Sequence, residues 1–249
     1  MITFIVQARC GSTRLPNKIL RPFYEGKSIL DLMLEKLSSI KDTEVVVATT
    51  TNVKDDAIVT VAKNYGVRCF RGSETDVLDR FISAAELYGV KKIIRVCSDN
   101  PFLDIESINL LINRAHSNRD ADYISFDVNG LPSIKTHYGF WTEYVKLDAL
   151  KKVRTQTTLP LYHEHVTNYI YSNPDKFNIV WIMDAGKVVR NLPIRLTIDT
   201  ESDFINAQKI YSHFVTSKID PTISNLVDYL SEHLSIISEM ESEIKKNSK

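Results

Sequence analysis

Twelve residues near the N-terminus bring basic, hydroxyl and glycine residues together: Gln7-Ala8-Arg9-Cys10-Gly11-Ser12-Thr13-Arg14-Leu15-Pro16-Asn17-Lys18. From Ala8 to Lys27 there are five basic residues (Arg9, Arg14, Lys18, Arg21 and Lys27) against one acidic residue, Glu25. Gly11, Ser12 and Thr13 can offer backbone N–H and hydroxyl donors, and Arg9 and Lys18 add positive charge, a set suited to a polyphosphate. The alternative is a solvated basic loop, which is what most charge runs are. The loop is not a Walker A element, since GxxxxGK[ST] is absent, nor a dinucleotide GxGxxG. Two carboxylates stand in matching places further on. Asp99 follows the apolar run IIRVC, and Asp199 follows IRLTI. A lone Asp before a turn is usually a turn or capping residue. Two of them at the ends of strands, however, can supply the oxygen ligands that Mg²⁺ takes alongside phosphate and water. Asp203 either joins them or sits in the first turn of a following helix.

These groups need a scaffold, and the periodicities supply one. Residues 2–7, 44–49, 67–70, 91–97 and 122–126 are short, β-branched-rich runs of the kind that strands buried on both faces show. Between them, Ile29, Met33, Leu37 and Ile40 repeat at helical spacing, as do Ile58, Val61, Ala62 and Tyr65. Segments 74–88 and 104–117 read as two more helices. Asn52 and Gly66 are start and stop signals for the second helix. This alternation predicts an α/β fold, a three-layer α/β/α sandwich around a mostly parallel sheet. In such a sheet ligands bind beyond the carboxyl ends of the strands, where the basic loop, Asp99 and Asp199 all fall. After residue 126 the pattern loosens. It predicts a loop and strand over 127–142, helices over 146–154 and 160–171, and strands over 177–182 and 194–198. A helix over 201–214 and a last amphipathic helix from Ile223 to Ile237 follow, with a polar, frayed tail.

Composition sets outer limits. The 249 residues carry 31 Lys+Arg and 31 Asp+Glu, so no global field draws nucleic acid or an anionic membrane. No apolar run reaches the ~20 residues that span a bilayer, and no signal-peptide pattern opens the chain. Three widely spaced cysteines make neither a disulfide framework nor a zinc site. Cys69 and Cys97 fall in strand patterns, and Cys10, beside Arg9, is the one whose thiol pKa could be lowered. The expectation is a soluble, cytoplasmic, single-domain protein, with residues 1–126 as a nucleotide-binding half, 127–214 as an acceptor-binding part and 215–249 as a C-terminal helix and tail.

Five blocks in order resemble one family. They are QARxGSTRLPxK, then Arg71-Gly72-Ser73-Glu74-Thr75-Asp76-Val77-Leu78-Asp79-Arg80, then Arg95-Val96-Cys97-Ser98-Asp99-Asn100-Pro101-Phe102-Leu103-Asp104, then His163-Glu164-His165-Val166-Thr167, then Arg195 to Asp203. Together they are similar to the cytidylyltransferase-like family, which includes the spore coat polysaccharide biosynthesis nucleotidyltransferases. More distant members are the synthetases that activate sialic acid and 3-deoxy-manno-octulosonate with CTP. The resemblance implies a nucleotide-diphospho-sugar transferase fold, and transfer of a nucleotide from CTP or another NTP to a small sugar-type acceptor, with Mg²⁺ as cofactor and release of pyrophosphate. It assigns Arg9 and Lys18 to catalysis, and Gln7, Ala8, Arg9, Gly11, Ser12, Thr13, Arg14 and Lys18 to the nucleotide. It places Ser73, Asp76 and Arg80 near the nucleotide pocket and turns Glu164 and His165 towards the acceptor. Glu143 and Arg195 are further acceptor-side candidates, Arg195 because its fork can hold a carboxylate or phosphate bidentately. Asp99 and Asp199 would hold the metal. A homodimer through residues 127–182 is also implied.

Two departures from the commoner family string stand in the first block. Asn17 replaces the Gly of LPGK, and Asn is the next most tolerant residue for a left-handed backbone. Cys10 stands where Met is common. Ser73 and Asp76 have the spacing of a capping box, so capping competes with ligand binding there. His163-Glu164 is followed by Thr167, so HExxH fails and a metalloprotease is excluded. Two other functions remain in view. A glycosyltransferase would carry Asp-x-Asp after a strand, and Asp120-Ala121-Asp122 precedes one instead. A non-catalytic nucleotide-binding module would have no need to keep Arg9, Lys18, Asp99 and Asp199.

Overall fold

A computed structural model describes residues 1–247. Strand β1 (Ile2–Gln7) runs through the middle of a sheet, buried on both faces. The basic loop leaves its carboxyl end and leads into a hairpin, β2 (Pro22–Tyr24) and β3 (Lys27–Ser28), whose turn places Glu25 and Gly26 at positive φ. Helix α1 (Ile29–Ser38) starts at a capping box in which Ser28 Oγ accepts from Asp31 N and the Asp31 carboxylate accepts from Ser28 N. Then come β4 (Thr43–Thr50), α2 (Asp56–Asn64), β5 (Arg68–Gly72), α3 (Val77–Leu87), β6 (Lys92–Cys97), α4 (Ile105–Ser117) and β7 (Tyr123–Val128). Each predicted strand and helix of this half is present. Gly66, at φ +66°, ends α2, and Asn52 caps the short 3₁₀ turn Val53–Asp55 that precedes it.

The second half departs from the sequence pattern in several places. A two-residue β8 (Leu131–Pro132) pairs back on β7, and a 3₁₀ turn covers Ser133–Lys135. The strand that matters next, β9 (Glu143–Lys146), has no apolar alternation to announce it, because its first residue is a buried glutamate. Helix α5 (Leu147–Gln156) follows as expected. The helix predicted over 160–171 is two, α6 (Pro160–Glu164) and α7 (Asn168–Ser172), and β10 (Ile179–Ile182) comes after them. A single turn of helix, α8 (Ala185–Val188), leads to segment 194–198, which belongs to no ladder. Its Ile194, Leu196 and Ile198 are apolar because they pack in the core, not because they form a strand. Helix α9 (Glu201–Ser217) is capped by Thr200. The last predicted helix is interrupted at His233, giving α10 (Ile223–Glu232) and α11 (Leu234–Asn247). The expected frayed tail is helical as far as it is described.

The sheet order is β10-β7-β9-β6-β1-β4-β5, with β9 antiparallel to both neighbours and all other neighbours on this path parallel. Side chains alternate across it. Phe4, Val6, Val47 and Ile94 join a core with α1, α2, α4, α9, α10 and α11, whereas Ile5, Ala48 and Ile93 join a second core with α3, α5 and α7. That alternation is the three-layer α/β/α sandwich expected from the sequence. None of the helices described is long and apolar enough to cross a membrane.

Candidate active site

The carboxyl ends of β1, β4 and β6 meet above the sheet, and the basic loop folds over them. Asn17 takes φ +56°, the left-handed conformation expected of it. Its N–H, like that of Ser12, donates to Cys10 C=O, which curls the loop and leaves Gly11 and Thr13 facing outward. The loop is pinned from below by Asp55, a residue that the sequence did not single out. Asp55 Oδ1 accepts from Cys10 N at 2.7 Å, and its other oxygen accepts from Thr50. Burial would raise the Asp55 carboxyl, and the bonds from Thr50 and Cys10 more than offset that. The same surroundings push the Cys10 thiol up to about 12, through burial first and Asp55 second. This corrects the expectation that Arg9 would lower it.

Lys18 turns inward and is only 8% exposed. Its Nζ donates to Asp99 Oδ2 at 2.9 Å, to Asp199 Oδ1 at 3.2 Å and to Ile198 C=O. Two aspartates 100 residues apart in sequence thus converge on one ammonium. A backbone bond from Ile198 N to Asp99 C=O, at 3.0 Å, clamps the two segments together. Burial alone would lower the Lys18 pKa; the carboxylates more than offset it, so the pKa is raised. Likewise burial would raise Asp199, while Lys18, Arg14 and Arg195 hold it below the usual carboxylate range. Arg14 Nη2 lies 3.3 Å from Asp199 Oδ2.

Two cavities meet at this point. The smaller, about 80 Å³, is lined by Gln7, Arg9, Ser12, Lys18 and Asp99 among others. The larger, about 630 Å³, lies on the other side of Asp99, and Asp199, His137, Trp141 and His165 are part of its wall. Asp99 lines both.

Several expected site residues sit elsewhere. Arg195, expected on the acceptor side, has a fully buried side chain. Its Nε and Nη2 grip Asp203 at 2.8 and 3.0 Å, and Nη2 reaches Asp199 at 3.2 Å. Its fork is therefore spent within the protein, and it positions Asp199. Asp203 is the N3 residue of α9, capping that helix and accepting from Asp199 N and Thr200 N, so it is not free to join a metal. Glu143 is 1% exposed and accepts from Arg95, Tyr123 and Thr167, which corrects its acceptor assignment too. Its partner Arg95 reaches Gln7 Oε1 at 3.3 Å and lies on the wall of the larger cavity. Glu164 is exposed and off that wall, whereas His165 is on it.

In the second block Asp76, rather than Ser73, is the N-cap of α3, and Ser73 Oγ accepts from Asp76 N. Arg80 is fully buried. One of its nitrogens bonds Ser73 C=O, two have no hydrogen-bond partner among the described residues, and burial followed by the charge of Arg9 pushes it down to about 10. His163 clips α6 to that cap: Nδ1 lies 2.7 Å from Asp76 Oδ2, and Nε2 lies 3.0 Å from Thr157 C=O. Asp120-Ala121-Asp122 precedes β7, which is parallel to β6, so it lies at the opposite edge of the sheet from Asp99.

For a metal, the donors are two carboxylates directed at one point. Among the described residues no cluster of three His, Cys, Asp or Glu side chains forms. Two hard oxygen ligands, completed by phosphate and water, fit Mg²⁺ and not a metal needing a full protein cage.

Comparison with known proteins gives the family and the fold. Residues 3–237 match the family model described as Cytidylyltransferase. The chain is 33% identical, over 97% of its length and 99% of the relative's, to the spore coat polysaccharide biosynthesis protein SpsF of Bacillus subtilis strain 168. A cytidylyltransferase from Leptospira borgpetersenii superposes with a TM-score of 0.82 at 29% identity, over 95% of this chain and 96% of that one. A CMP:2-keto-3-deoxy-manno-octonic acid synthetase complexed with CTP shares the fold, with a TM-score of 0.65 at 15% identity, over 85% and 98% of the two chains. The chain belongs to the cytidylyltransferase family and is a nucleotidyltransferase enzyme.

Proposed function

We propose that the protein is a Mg²⁺-dependent cytidylyltransferase. It joins CMP from CTP to a hydroxyl of a sugar, sugar acid or sugar phosphate used in surface polysaccharide or glycan synthesis, and it releases pyrophosphate. The observation that carries this reading is the sharing of Asp99 by a small basic cavity and a large polar one, with Lys18 and Asp199 at the junction. The name of the Bacillus relative and the CTP in the octulosonate synthetase structure support the choice of base and acceptor class.

The acceptor oxygen attacks the α-phosphorus as the bond to the pyrophosphate oxygen breaks. Such a transfer asks the protein mainly for alignment and for cations where negative charge builds. The loop N–H groups of Gly11 and Thr13, with Arg9, hold the triphosphate over the mouth of the smaller cavity, and Arg14 stands at its outer side. Lys18 can leave the carboxylates for the phosphates without leaving the site. Asp99 and Asp199 would hold Mg²⁺, which when bound offsets charge on the α-phosphate and the departing pyrophosphate. Arg195 and Asp203 keep Asp199 aimed, and Asp55 keeps the loop in place. In this reading the chain works as one cytoplasmic domain, residues 1–126 serving the nucleotide and 127–214 the acceptor.

A pyrophosphate-release screen of four NTPs against sugar acids and sugar phosphates tests the reading. CTP should support turnover, and EDTA should abolish it. Arg9→Ala and Lys18→Ala should each lower the rate by about 10²–10³ while the circular dichroism spectrum stays unchanged. Full activity in EDTA, or wild-type turnover in both variants, would refute it.

A further inference from the structure

One histidine of the larger cavity has its chemistry fixed by a neighbour. His137 Nδ1 lies 2.9 Å from Arg195 Nη1. A guanidinium has donors and no acceptor, so the nitrogen that faces it must present a lone pair. Arg195 cannot turn away, because its Nε and Nη2 are committed to Asp203 and Asp199. The His137 proton therefore resides on Nε2, which has no protein partner among the described residues. The backbone is fixed as well, since His137 C=O accepts from Leu196 N at 2.9 Å and Thr197 N at 3.2 Å. Burial, and then the charge of Arg195, lower the imidazole pKa, so the ring stays neutral at neutral pH. The residue lies on the wall of the 630 Å³ cavity, as Asp199 does.

We infer that His137 is an acceptor-binding residue, presenting Nε2–H to an oxygen of the acceptor substrate, and that Arg195 sets its tautomer. The inference rests on the nucleotidyltransferase reading above. It links two roles of one guanidinium, which aims Asp199 at the reacting phosphate and His137 at the acceptor. A wall that offers a neutral donor selects an oxygen with a lone pair, whether hydroxyl, carbonyl or carboxylate. It gives nothing to an ammonium group in the same position, because Nδ1 is already taken.

Two substitutions separate this role from a structural one. In His137→Asn the amide oxygen stands near the place of Nδ1 and can still accept from Arg195, but nothing reaches the place of Nε2. In His137→Gln the amide N–H comes near the place of Nε2. With the acceptor that gives the fastest pyrophosphate release in the screen, His137→Asn should raise KM for the acceptor about tenfold or more, leaving KM for CTP and the Tm unchanged. His137→Gln should stay within about threefold of wild type for the acceptor KM, clearly less than the Asn variant loses. Wild-type acceptor KM in the Asn variant, or equal damage in both, would overturn the inference. Nitrogen-15 NMR of the histidine rings in the ligand-free protein reads the tautomer without any acceptor. An Nδ1–H tautomer at His137 would overturn the inference even if turnover is normal. Wild-type protein that releases no pyrophosphate with any pair would instead refute the functional reading, and the acceptor role with it.

Discussion

Lys18 stands where a divalent ion would have to stand. Its ammonium, 2.9 and 3.2 Å from two carboxylates, keeps Asp99 and Asp199 together, the task that the proposed reading gives to Mg²⁺. Removing it leaves two half-buried carboxylates close to each other with Arg14 and Arg195 only on one side. Loss of a charged hydrogen-bonded partner in a partly buried site costs on the order of 1–3 kcal/mol. Lys18→Met should therefore lower the Tm in EDTA, and millimolar Mg²⁺ should restore more of it than it adds to the wild type. Equal Mg²⁺ responses in the two proteins would mean that the carboxylates do not form a metal site. At this scale the sequence was informative about which residues lie at the cleft and silent about which touch. Lys18 and the two aspartates were legible from charge and from their places after apolar runs. The inward turn of Lys18, the capture of Arg195 by Asp203 and the neutral state of His137 depend on contacts between distant segments, which no local pattern encodes.

The segments that make those contacts are irregular. Residues 133–141 and 194–199 run against each other without forming a ladder, joined by the bonds that His137 C=O receives. Gly139 makes the approach possible. It has φ +71°, and a Cβ there would lie 3.1–3.2 Å from backbone atoms of Leu196 and Thr197. Gly130 has a similar φ of +84° with open space around its Cβ position. Gly130→Ala should then cost only the left-handed penalty, about 1–2 kcal/mol. Gly139→Ala adds a backbone clash that no side-chain movement can relieve, so it should cost clearly more in urea unfolding and also raise acceptor KM. Equal costs for the two would show that the segments have slack. The same irregularity explains where element prediction failed. Strands buried on both faces announce themselves as apolar runs, so β1, β4, β6 and β7 were readable, whereas β5 at the sheet edge is only half-buried. Glu143, buried in β9 by its bonds to Arg95, Tyr123 and Thr167, breaks the pattern of a true strand. Segment 194–198 has the pattern of a strand and none of the pairing.

Across the whole molecule, the site is backed by the end of the chain. Helix α11 lines neither the smaller nor the larger cavity, yet its Met240 is 2% exposed, packed in the same core as Leu196 and Ile198, and its Sδ receives a bond from Arg195 N at 3.4 Å. Glu239 holds Asn206 of α9 at 2.9 Å. The helix thus packs against α9 and the 194–199 segment, and Asp199 ends that segment just before the N-cap of α9. A tail that looks polar in sequence can do this because Ile237 and Met240 face inward with Ile236 beside them, while Glu239 is held by Asn206 and most of the other charged residues face water. Met240→Ala should destabilise the protein by about 2–4 kcal/mol, the cost of a large-to-small change in a packed core. Its damage should extend to function. Because the cavity left behind lies beneath Arg195 rather than beside a substrate, kcat should fall more than KM for either substrate, through loosened aim of Asp199. Met240→Leu, which conserves volume, should restore both stability and kcat. An alanine variant that melts early but turns over at the wild-type rate below its Tm would show that α11 supports the fold alone and that Asp199 is aimed by Asp203 without it.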